Sequence, residues 1–179
     1  HCVTRRQRQM CIRDSLSSFG IEYTFADLNC DGTISVDSIL KNIKSNTSLI
    51  CLMMANNEIG SIQPLNEVVK IAKEKRIMVH TDAVQCMGKM ELNVSKLDVD
   101  FLTLSAHKFY GPKGVGALYV RNPKKLNPLI LGGGQERGLR AGTESVALIA
   151  GMGLACTLAC SSLSHHKKLL NSLETYFKD

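Results

Sequence analysis

The stretch that decides the fold runs from Phe101 to Gly114 and reads FLTLSAHKFYGPKG. Phe101 to Leu104 is an apolar run of strand length, and polar residues follow it immediately. A glycine-rich turn then leads from Gly111 to a second apolar segment, Ala117 to Val120. This order predicts a strand, then a turn that carries Lys108, then another strand.

The rest of the chain alternates between strand-like and helix-like patterns. Strand-like patterns occupy Ile21 to Phe25, Leu49 to Met54 and Ile77 to Val79. Helix-like patterns follow Ser35 (apolar at Ile39, Leu40 and Ile43) and Pro64, and a small-residue helix over Ser145 to Leu163 precedes an amphipathic tail, Lys167 to Phe177. This alternation predicts an α/β domain with a mostly parallel sheet flanked by helices.

Composition and charge restrict the function classes. With 179 residues, 44% hydrophobic and 21% charged, the chain is expected to fold as a globular domain of ordinary size. The net charge of +6 comes half from the first fifteen residues, and the basic clusters elsewhere lack aromatic neighbours, so we expect no nucleic-acid partner. The absence of an apolar run of roughly 18 residues predicts no membrane-spanning helix.

Cysteine usage and the chain start bear on compartment and organisation. The seven cysteines form no C-x-x-C pair, which argues against a disulfide scaffold or a metal site and favours a reducing compartment, cytoplasmic or mitochondrial. The arginine-rich residues 1–15 are interpreted as a non-native or remnant leader, with a transit peptide as the alternative. We expect 16–163 to be a partial large domain and 164–179 to begin a segment leading to a further C-terminal domain.

Polar clusters fall at the ends of three predicted strands: Asn56-Asn57-Glu58, His80-Thr81-Asp82 and Ser105-Ala106-His107-Lys108. Ligands of parallel sheets bind beyond these ends. A lysine there can be partly desolvated and offer its amine for a Schiff base, although most lysines are solvated surface charges. Asp82 favours the first interpretation, because a pyridoxal phosphate (PLP) site pairs its lysine with an acid that holds the pyridinium nitrogen.

Other motifs are less specific. His107 is either a satisfied core histidine or a phosphate contact. The segment from Gly111 to Gly114 lacks the spacing of a nucleotide P-loop, and Gly132 to Gly134 lacks the dinucleotide fingerprint, so both are interpreted as turns.

Four ordered motifs become specific when they are taken together. They are NNEIG at 56–60, HTDAVQ at 80–85, SAHKFYGPKG at 105–114 and GGGQERGLRAGTE at 132–144. In this order they resemble the cysteine desulfurase and selenocysteine lyase family, part of the class V aminotransferase group, as a central fragment. The resemblance implies the large domain of the PLP-dependent transferase fold type I, incomplete here.

The resemblance also implies roles for individual residues. Lys108 would be the catalytic residue and would bind PLP as a Schiff base. The family usually has glycine at the position of Ala106, and the added methyl is tolerable if φ there is negative. The cofactor-binding residues would also include Asp82 at the ring nitrogen, Gln85 at the phenolic oxygen, and Asn57 at that oxygen and the substrate carboxylate. Ser105 and His107 would bind the phosphate, with the backbone of Ala106 nearby, and Lys108 itself belongs to the set. Thr143 would bind the phosphate in a partner subunit, which implies a homodimer with shared sites.

The implied reaction removes sulfur from L-cysteine, leaving L-alanine and an enzyme persulfide for iron–sulfur cluster assembly or another sulfur transfer. An iron–sulfur scaffold or other sulfur acceptor would then be a partner. The first alternative is a selenocysteine lyase acting on L-selenocysteine, and the second is a truncated, non-catalytic homologue that dimerises or binds a partner. Neither Cys156 nor Cys160 is assigned as the sulfur nucleophile, and we expect this fragment alone to be inactive.

Overall fold

The computed structural model describes residues 16–178, so the leader interpretation of residues 1–15 lies outside the described residues. Two compact units are present. The first unit comprises the described residues up to 83 together with 94–99, and the second comprises 84–93 together with the described residues from 100 onward. Each unit contains its own pair of strands.

The first unit contains helix α1 (Val36–Asn42), strand β1 (Leu49–Met53), helix α2 (Leu65–Glu74), strand β2 (Met78–Asp82) and the short helix α3 (Val94–Leu97). Strands β1 and β2 run parallel. Leu49 lies opposite Met78, and Met53 lies opposite Asp82. The carboxyl ends of both strands therefore meet at one edge.

Local sequence explains where the helices of the first unit begin. The side chain of Ser35 accepts a hydrogen bond from the backbone N–H of Ser38, which satisfies an otherwise unpaired donor at the start of α1. Pro64 precedes α2, as predicted, and fixes the entry to that helix. The buried residues of α2 recur at helical spacing and this helix packs against β2.

The predicted strand from Ile21 to Phe25 is wrong, because residues 21–25 are not part of a β-ladder. Ile21 and Phe25 are exposed, so alternation along the sequence did not correspond to a buried face. A hairpin forms just beyond, where Leu28 pairs with Ile34 in an antiparallel bridge. Gly32 takes a positive φ of 77° at its turn, a conformation that glycine adopts without steric cost.

The second unit is built around strands β3 (Phe101–Ser105) and β4 (Gly116–Val120), which pair in antiparallel fashion. A 3₁₀-helix, Ala106–Phe109, begins directly after β3, and two further 3₁₀-helices cover Pro123–Lys125 and Gln135–Gly138. The unit ends with helix α4, Val146–Lys178. The chain therefore contains one parallel and one antiparallel pair of strands, so its β-structure is mixed.

Helix α4 is continuous over 33 residues, and it includes both the predicted small-residue helix and the predicted amphipathic tail. The segment between them contains serine and histidine but no proline or glycine, so nothing in the sequence breaks the backbone hydrogen bonds there. The boundary drawn at 163/164 therefore falls inside a helix.

Helix α4 is also long and apolar enough to cross a membrane, by length and composition alone. An 18-residue window has mean hydropathy 1.9, and 17% of that window is buried. The helix passes this test although it contains no unbroken apolar run of 18 residues, because Thr157 and Ser161 interrupt the run without making it polar on average. The prediction that the chain has no membrane-spanning helix stays a prediction. One such helix is weak evidence for a membrane, since the core helix of a soluble protein passes the same test.

Candidate PLP-binding site

Lys108 lies on a turn that we call the lysine turn, residues 106–111. Its first four residues form the 3₁₀-helix, in which side chains three positions apart share a face. Ala106 and Phe109 are buried, whereas His107 and Lys108 are exposed. The turn therefore packs against the protein through two residues and presents the imidazole and the amine to solvent.

Backbone hydrogen bonds hold the lysine turn at both ends. The N–H of Ala106 donates to the carbonyl oxygen of Val115 at 3.1 Å, which ties the turn to the start of β4. The carbonyl oxygen of Ala106 accepts from the N–H groups of Tyr110 and Gly111. Tyr110 takes the left-handed conformation, with φ of 66°, and this reverses the chain after the 3₁₀-helix.

Ala106 fits this turn, at the position where the resemblance implied a glycine. Ala106 is fully buried, and it is not among the described residues with positive φ. A methyl group is therefore tolerated at this position, since a positive φ would have favoured glycine. A Cβ atom placed on Gly111 would lie only 2.9 Å from the Ala106 Cβ and 3.2 Å from the Ala155 Cβ of α4. The methyl of Ala106 thus occupies space that Gly111 leaves open.

The lysine turn packs on helix α4. A buried apolar cluster joins the two elements; it consists of Ala106, Phe109, Met152, Ala155 and Ala159. Met87, Leu104, Val115 and Cys156 pack against it and are partly buried.

Ser105 and His107 form a hydrogen-bonded pair beside Lys108. The Ser105 Oγ and the His107 Nδ1 are 2.9 Å apart. When the hydroxyl donates to Nδ1, the imidazole carries its proton on Nε2 and can donate it to an anionic ligand. The pair is therefore suited to a phosphate group, which was the role predicted for both residues.

Gln85 lies on a separate turn of the second unit, where the Lys89 Nζ donates to its Oε1 at 3.0 Å. A lysine ammonium has only donors, so the oxygen of the Gln85 amide must face it. The Nε2 group is then directed elsewhere as a donor, as a contact with a phenolate oxygen requires. Lys89 was not among the predicted site residues, although its i+4 spacing from Gln85 could have indicated this contact.

Asp82 and Asn57 belong to the first unit. Asp82 ends β2 and is half-buried, and Asn57 is exposed in the loop that follows β1. Because β1 and β2 are parallel, this loop and Asp82 lie at the same edge. The loop is shaped by Asn56, whose Oδ1 accepts from the backbone N–H groups of Glu58 and Ile59.

His80 shares a strand face with Asp82, because side chains two residues apart point to the same side. Burial lowers the pKa of His80 below its ordinary value of 6.5, and the charge of Asp82 opposes this shift. His80 lies in one of the polar clusters at the predicted strand ends, where no role was predicted for it. The electrostatic interaction shows that it belongs to the surroundings of Asp82.

Thr143 is exposed in the loop that precedes α4. In the same loop, the N–H of Gly142 donates to the Oε1 of Gln135 at 3.3 Å, and Gly142 takes a φ of 113°. An exposed hydroxyl here is accessible to a second molecule.

The structure therefore distributes the predicted residues among several places. The lysine turn and the last residue of β3 bring together Ser105, Ala106, His107 and Lys108, while Gln85 and Thr143 lie elsewhere in the second unit and Asn57 and Asp82 in the first. Lys108 is exposed, so the described residues of this chain do not supply the partial desolvation expected at its strand end.

Comparison with known proteins identifies the family. The family model described as Aminotransferase class-V matches residues 10–178, so the chain belongs to the class V aminotransferases. Within this group it is 50% identical over 180 residues to "Cysteine desulfurase IscS" of Dictyoglomus turgidum, which covers 99% of this chain and 46% of that protein. It is 42% identical to "Cysteine desulfurase, mitochondrial" of Candida maltosa, covering 100% of this chain and 38% of that protein.

Solved structures give the same result. A structure titled "NIFS-LIKE PROTEIN" matches with a TM-score of 0.91 and 39% identity over 96% of this chain and 48% of that one. "SspA in complex with cysteine" matches with a TM-score of 0.81 and 41% identity over 86% of this chain and 45% of that one. These matches confirm the predicted fold class. The chain spans about half the length, or somewhat less, of the relatives it matches.

The class V aminotransferase and cysteine desulfurase families are PLP-dependent, and the side chains present here fit that cofactor. An exposed primary amine stands on the lysine turn next to a hydroxyl–imidazole pair. The Gln85 amide has its oxygen held by Lys89, and a carboxylate ends β2. These are the donors and acceptors that an aldehyde, a phosphate, a phenolate and a ring nitrogen require.

Proposed function

We propose that this chain forms the lysine-bearing, PLP-binding part of a cysteine desulfurase. The observation that carries the proposal is the lysine turn, which presents Lys108 and the Ser105–His107 pair from a buried support. The desulfurase relatives quoted above support the choice of reaction.

Each predicted residue has a role in this proposal. Lys108 binds the aldehyde carbon of PLP through its Nζ. Ser105 and His107 bind the phosphate as a pair, with His107 donating through its Nε2–H while the Ser105 hydroxyl donates to its Nδ1. In the first unit, Asp82 accepts from the protonated ring nitrogen and Asn57 contacts the phenolic oxygen and the substrate carboxylate. Gln85 donates to the same phenolic oxygen through its Nε2, the backbone of Ala106 lies beside the phosphate, and Thr143 contacts the phosphate in the partner of a homodimer.

The bound cofactor supplies an electron sink for the electron pair released at the substrate α-carbon. The substrate amine would take the place of Lys108 on the aldehyde carbon, and the released Lys108 Nζ would then remove and return the proton at the substrate α-carbon. Asp82 retains the proton on the ring nitrogen. In the overall reaction L-cysteine and a protein thiol give L-alanine and a protein persulfide: a C–S bond breaks and an S–S bond forms, so no external oxidant or reductant is required.

L-Cysteine is favoured over L-selenocysteine because the relatives are named as cysteine desulfurases and one solved neighbour is titled as a cysteine complex. The relatives include mitochondrial and mitosomal proteins, and we place this chain in the cytoplasm or the mitochondrion. The sulfur acceptor that we propose is an iron–sulfur scaffold or another sulfur carrier.

Titration of the chain with PLP tests the cofactor assignment. We expect a visible absorbance band, and borohydride reduction followed by peptide mapping should place the pyridoxyl group on Lys108. Lys108→Ala should lose both signals. Lys113→Ala is the matched control, since it removes another exposed lysine of the same loop and should retain them.

The result that would overturn the assignment is a wild-type chain with a folded circular dichroism spectrum and no band. Such a chain would instead be an interaction module. If PLP binds, alanine release from L-cysteine and from L-selenocysteine, measured with a thiol acceptor present, separates the desulfurase from the lyase.

A further inference from the structure

We propose that Ala155 of helix α4 is a positioning residue for Lys108, acting through Gly111 and Ala106 of the lysine turn. The proposal rests on the proposed function in one respect, namely that Lys108 is the residue that binds PLP. It assigns a role to a helix residue that does not itself contact the amine.

Helix α4 approaches the lysine turn closely at Ala155. A Cβ atom on Gly111 would lie 3.2 Å from the Ala155 Cβ, 2.9 Å from the Ala106 Cβ and 3.0 Å from the Ala106 oxygen. The first of these contacts, 3.2 Å, is tighter than most that real Cβ atoms make, and the 2.9 Å contact is shorter than real Cβ atoms show. Gly111 therefore faces the methyl groups of Ala106 and Ala155 across a gap too narrow for one more methyl group, so a larger side chain at 155 that enters this gap would press on the turn.

The two buried residues of the lysine turn flank Lys108 on both sides. Ala106, two residues before it, and Phe109, one residue after it, belong to the same buried cluster as Ala155. The Lys108 side chain is exposed and receives little confinement of its own. Its Cα position is consequently determined by how closely Ala106 and Phe109 sit on the helix.

Ala155 differs from its neighbours on the same face of α4 in the residue that it faces. Gly151 and Ala159 lie one turn before and one turn after Ala155, at the i±4 spacing that shares a face. A Cβ on Gly151 would lie 2.7 Å from the Pro112 Cγ, and a Cβ on Gly88 would lie 3.0 Å from the Ala159 Cβ. Ala159 shares the buried cluster but faces Gly88, and Gly151 faces Pro112, whereas Ala155 is the residue of this stripe that faces Gly111 of the lysine turn.

A reacting group must be held within a fraction of an ångström of its productive position. Because protein interiors are close-packed, added volume at 155 displaces the turn rather than being absorbed. Removing the methyl of Ala106 should return the space, so the two sites are expected to compensate each other in volume.

The test compares Ala155→Val with Ala159→Val and with the double variant Ala106→Gly/Ala155→Val. Ala155 and Ala159 are 7% and 8% exposed and occupy the same helix, so valine should lower the unfolding midpoint similarly at both. Ala155→Val alone should slow formation of the Lys108–PLP linkage roughly 10- to 100-fold, the cost of an ångström-scale misplacement. The double variant should recover most of that loss.

Hydrogen exchange without PLP gives a second readout. The backbone amides of residues 107–111 should exchange faster in Ala155→Val than in Ala159→Val, and the double variant should restore their protection. Equal linkage rates in the two single variants, or no rescue by Ala106→Gly, would overturn the positioning role even if wild-type chain binds PLP. If the wild-type chain binds no PLP, the proposed function fails, and the exchange data alone decide whether Ala155 controls the turn.

Discussion

Replacing single glycines by alanine should change stability in opposite directions, depending on which atoms the new methyl group would contact. Gly111→Ala would force its new Cβ against Ala106 and Ala155, whereas a Cβ on Gly153 of α4 would meet nothing within 4 Å. We expect Gly111→Ala to lower the free energy of unfolding by about 1–3 kcal/mol through overpacking. Gly153→Ala should raise it by about 0.5–1 kcal/mol, because alanine is the better helix former. Urea unfolding of both variants measures the contrast, and equal effects would contradict it.

His80 makes stability depend on pH. Its folded pKa lies below the ordinary 6.5 because burial disfavours the charged ring, although Asp82 offsets part of this. Above pH 6.5 the ring is neutral in both states and its stability contribution is complete. As the pH falls below 6.5, the unfolded chain binds a proton that the folded chain does not, so the free energy of unfolding decreases until the folded pKa is reached.

Urea midpoints measured above and below pH 6.5 test this dependence. His80→Gln should flatten it, and Asp82→Asn should deepen it, because loss of the carboxylate charge lowers the pKa of His80 further. His165→Gln is the matched control, since it removes an exposed histidine of α4 and should leave the slope unchanged. A slope that survives His80→Gln would show that another group causes it.

Some residues of the candidate site could be predicted from the sequence, and others could not. Lys108, His107 and Ser105 were predicted from one contiguous motif, and local hydrogen bonding keeps such residues together. Lys89 and Ala155 were missed, because their roles depend on a turn and on helix packing rather than on residue type.

At the scale of elements, periodicity predicted the strands well and their ends less well. The strand predicted over Ile77 to Val79 extends to Asp82, and the one over Phe101 to Leu104 includes Ser105. Polar side chains were assigned to loops, but a β-ladder is formed by backbone groups and continues wherever a neighbouring strand offers partners. For the same reason the alternating segment Ile21 to Phe25 formed no strand.

Gln63 connects the hairpin at residues 28–34 to the segment that precedes α2. Its Oε1 accepts from the N–H of Ile34 at 2.7 Å, and its Nε2 donates to the carbonyl of Gly32 and to the Ser61 Oγ. The side chain is 4% exposed, so its loss would leave a buried N–H without this acceptor.

We expect Gln63→Ala to lower the free energy of unfolding by about 1–3 kcal/mol, the cost of an unsatisfied buried group. Asn66→Ala, an exposed change in α2, is the control and should stay within about 0.5 kcal/mol. Urea unfolding gives both values. A Gln63→Ala effect as small as that of the control would show that water replaces the amide.

Across the whole molecule, the described cysteines differ in accessibility and therefore in reactivity. Cys30 and Cys160 are exposed, Cys51 and Cys156 are half-buried, and Cys86 is buried. Burial raises the pKa of Cys156 above 9.0, and the nearby Cys160 adds to this, so its thiolate fraction near neutral pH is small.

Timed alkylation followed by peptide mapping should therefore label Cys30 and Cys160 first and Cys156 later. Cys86 should react only when the second unit unfolds. Labelling in denaturant, where all thiols should react at similar rates, is the control. Alkylation of Cys86 at the rate of Cys30 in the native chain would contradict the packing of the second unit.

The path of the chain between the two units has a consequence for biosynthesis. Residues 84–93 belong to the second unit although residues on both sides of them belong to the first. A ribosome delivers the amino-terminal residues first, and domains generally fold as they emerge. Here the first unit cannot be complete until residue 99 has been made, and the segment 84–93 must wait unpaired for β3, the lysine turn and α4 to be translated.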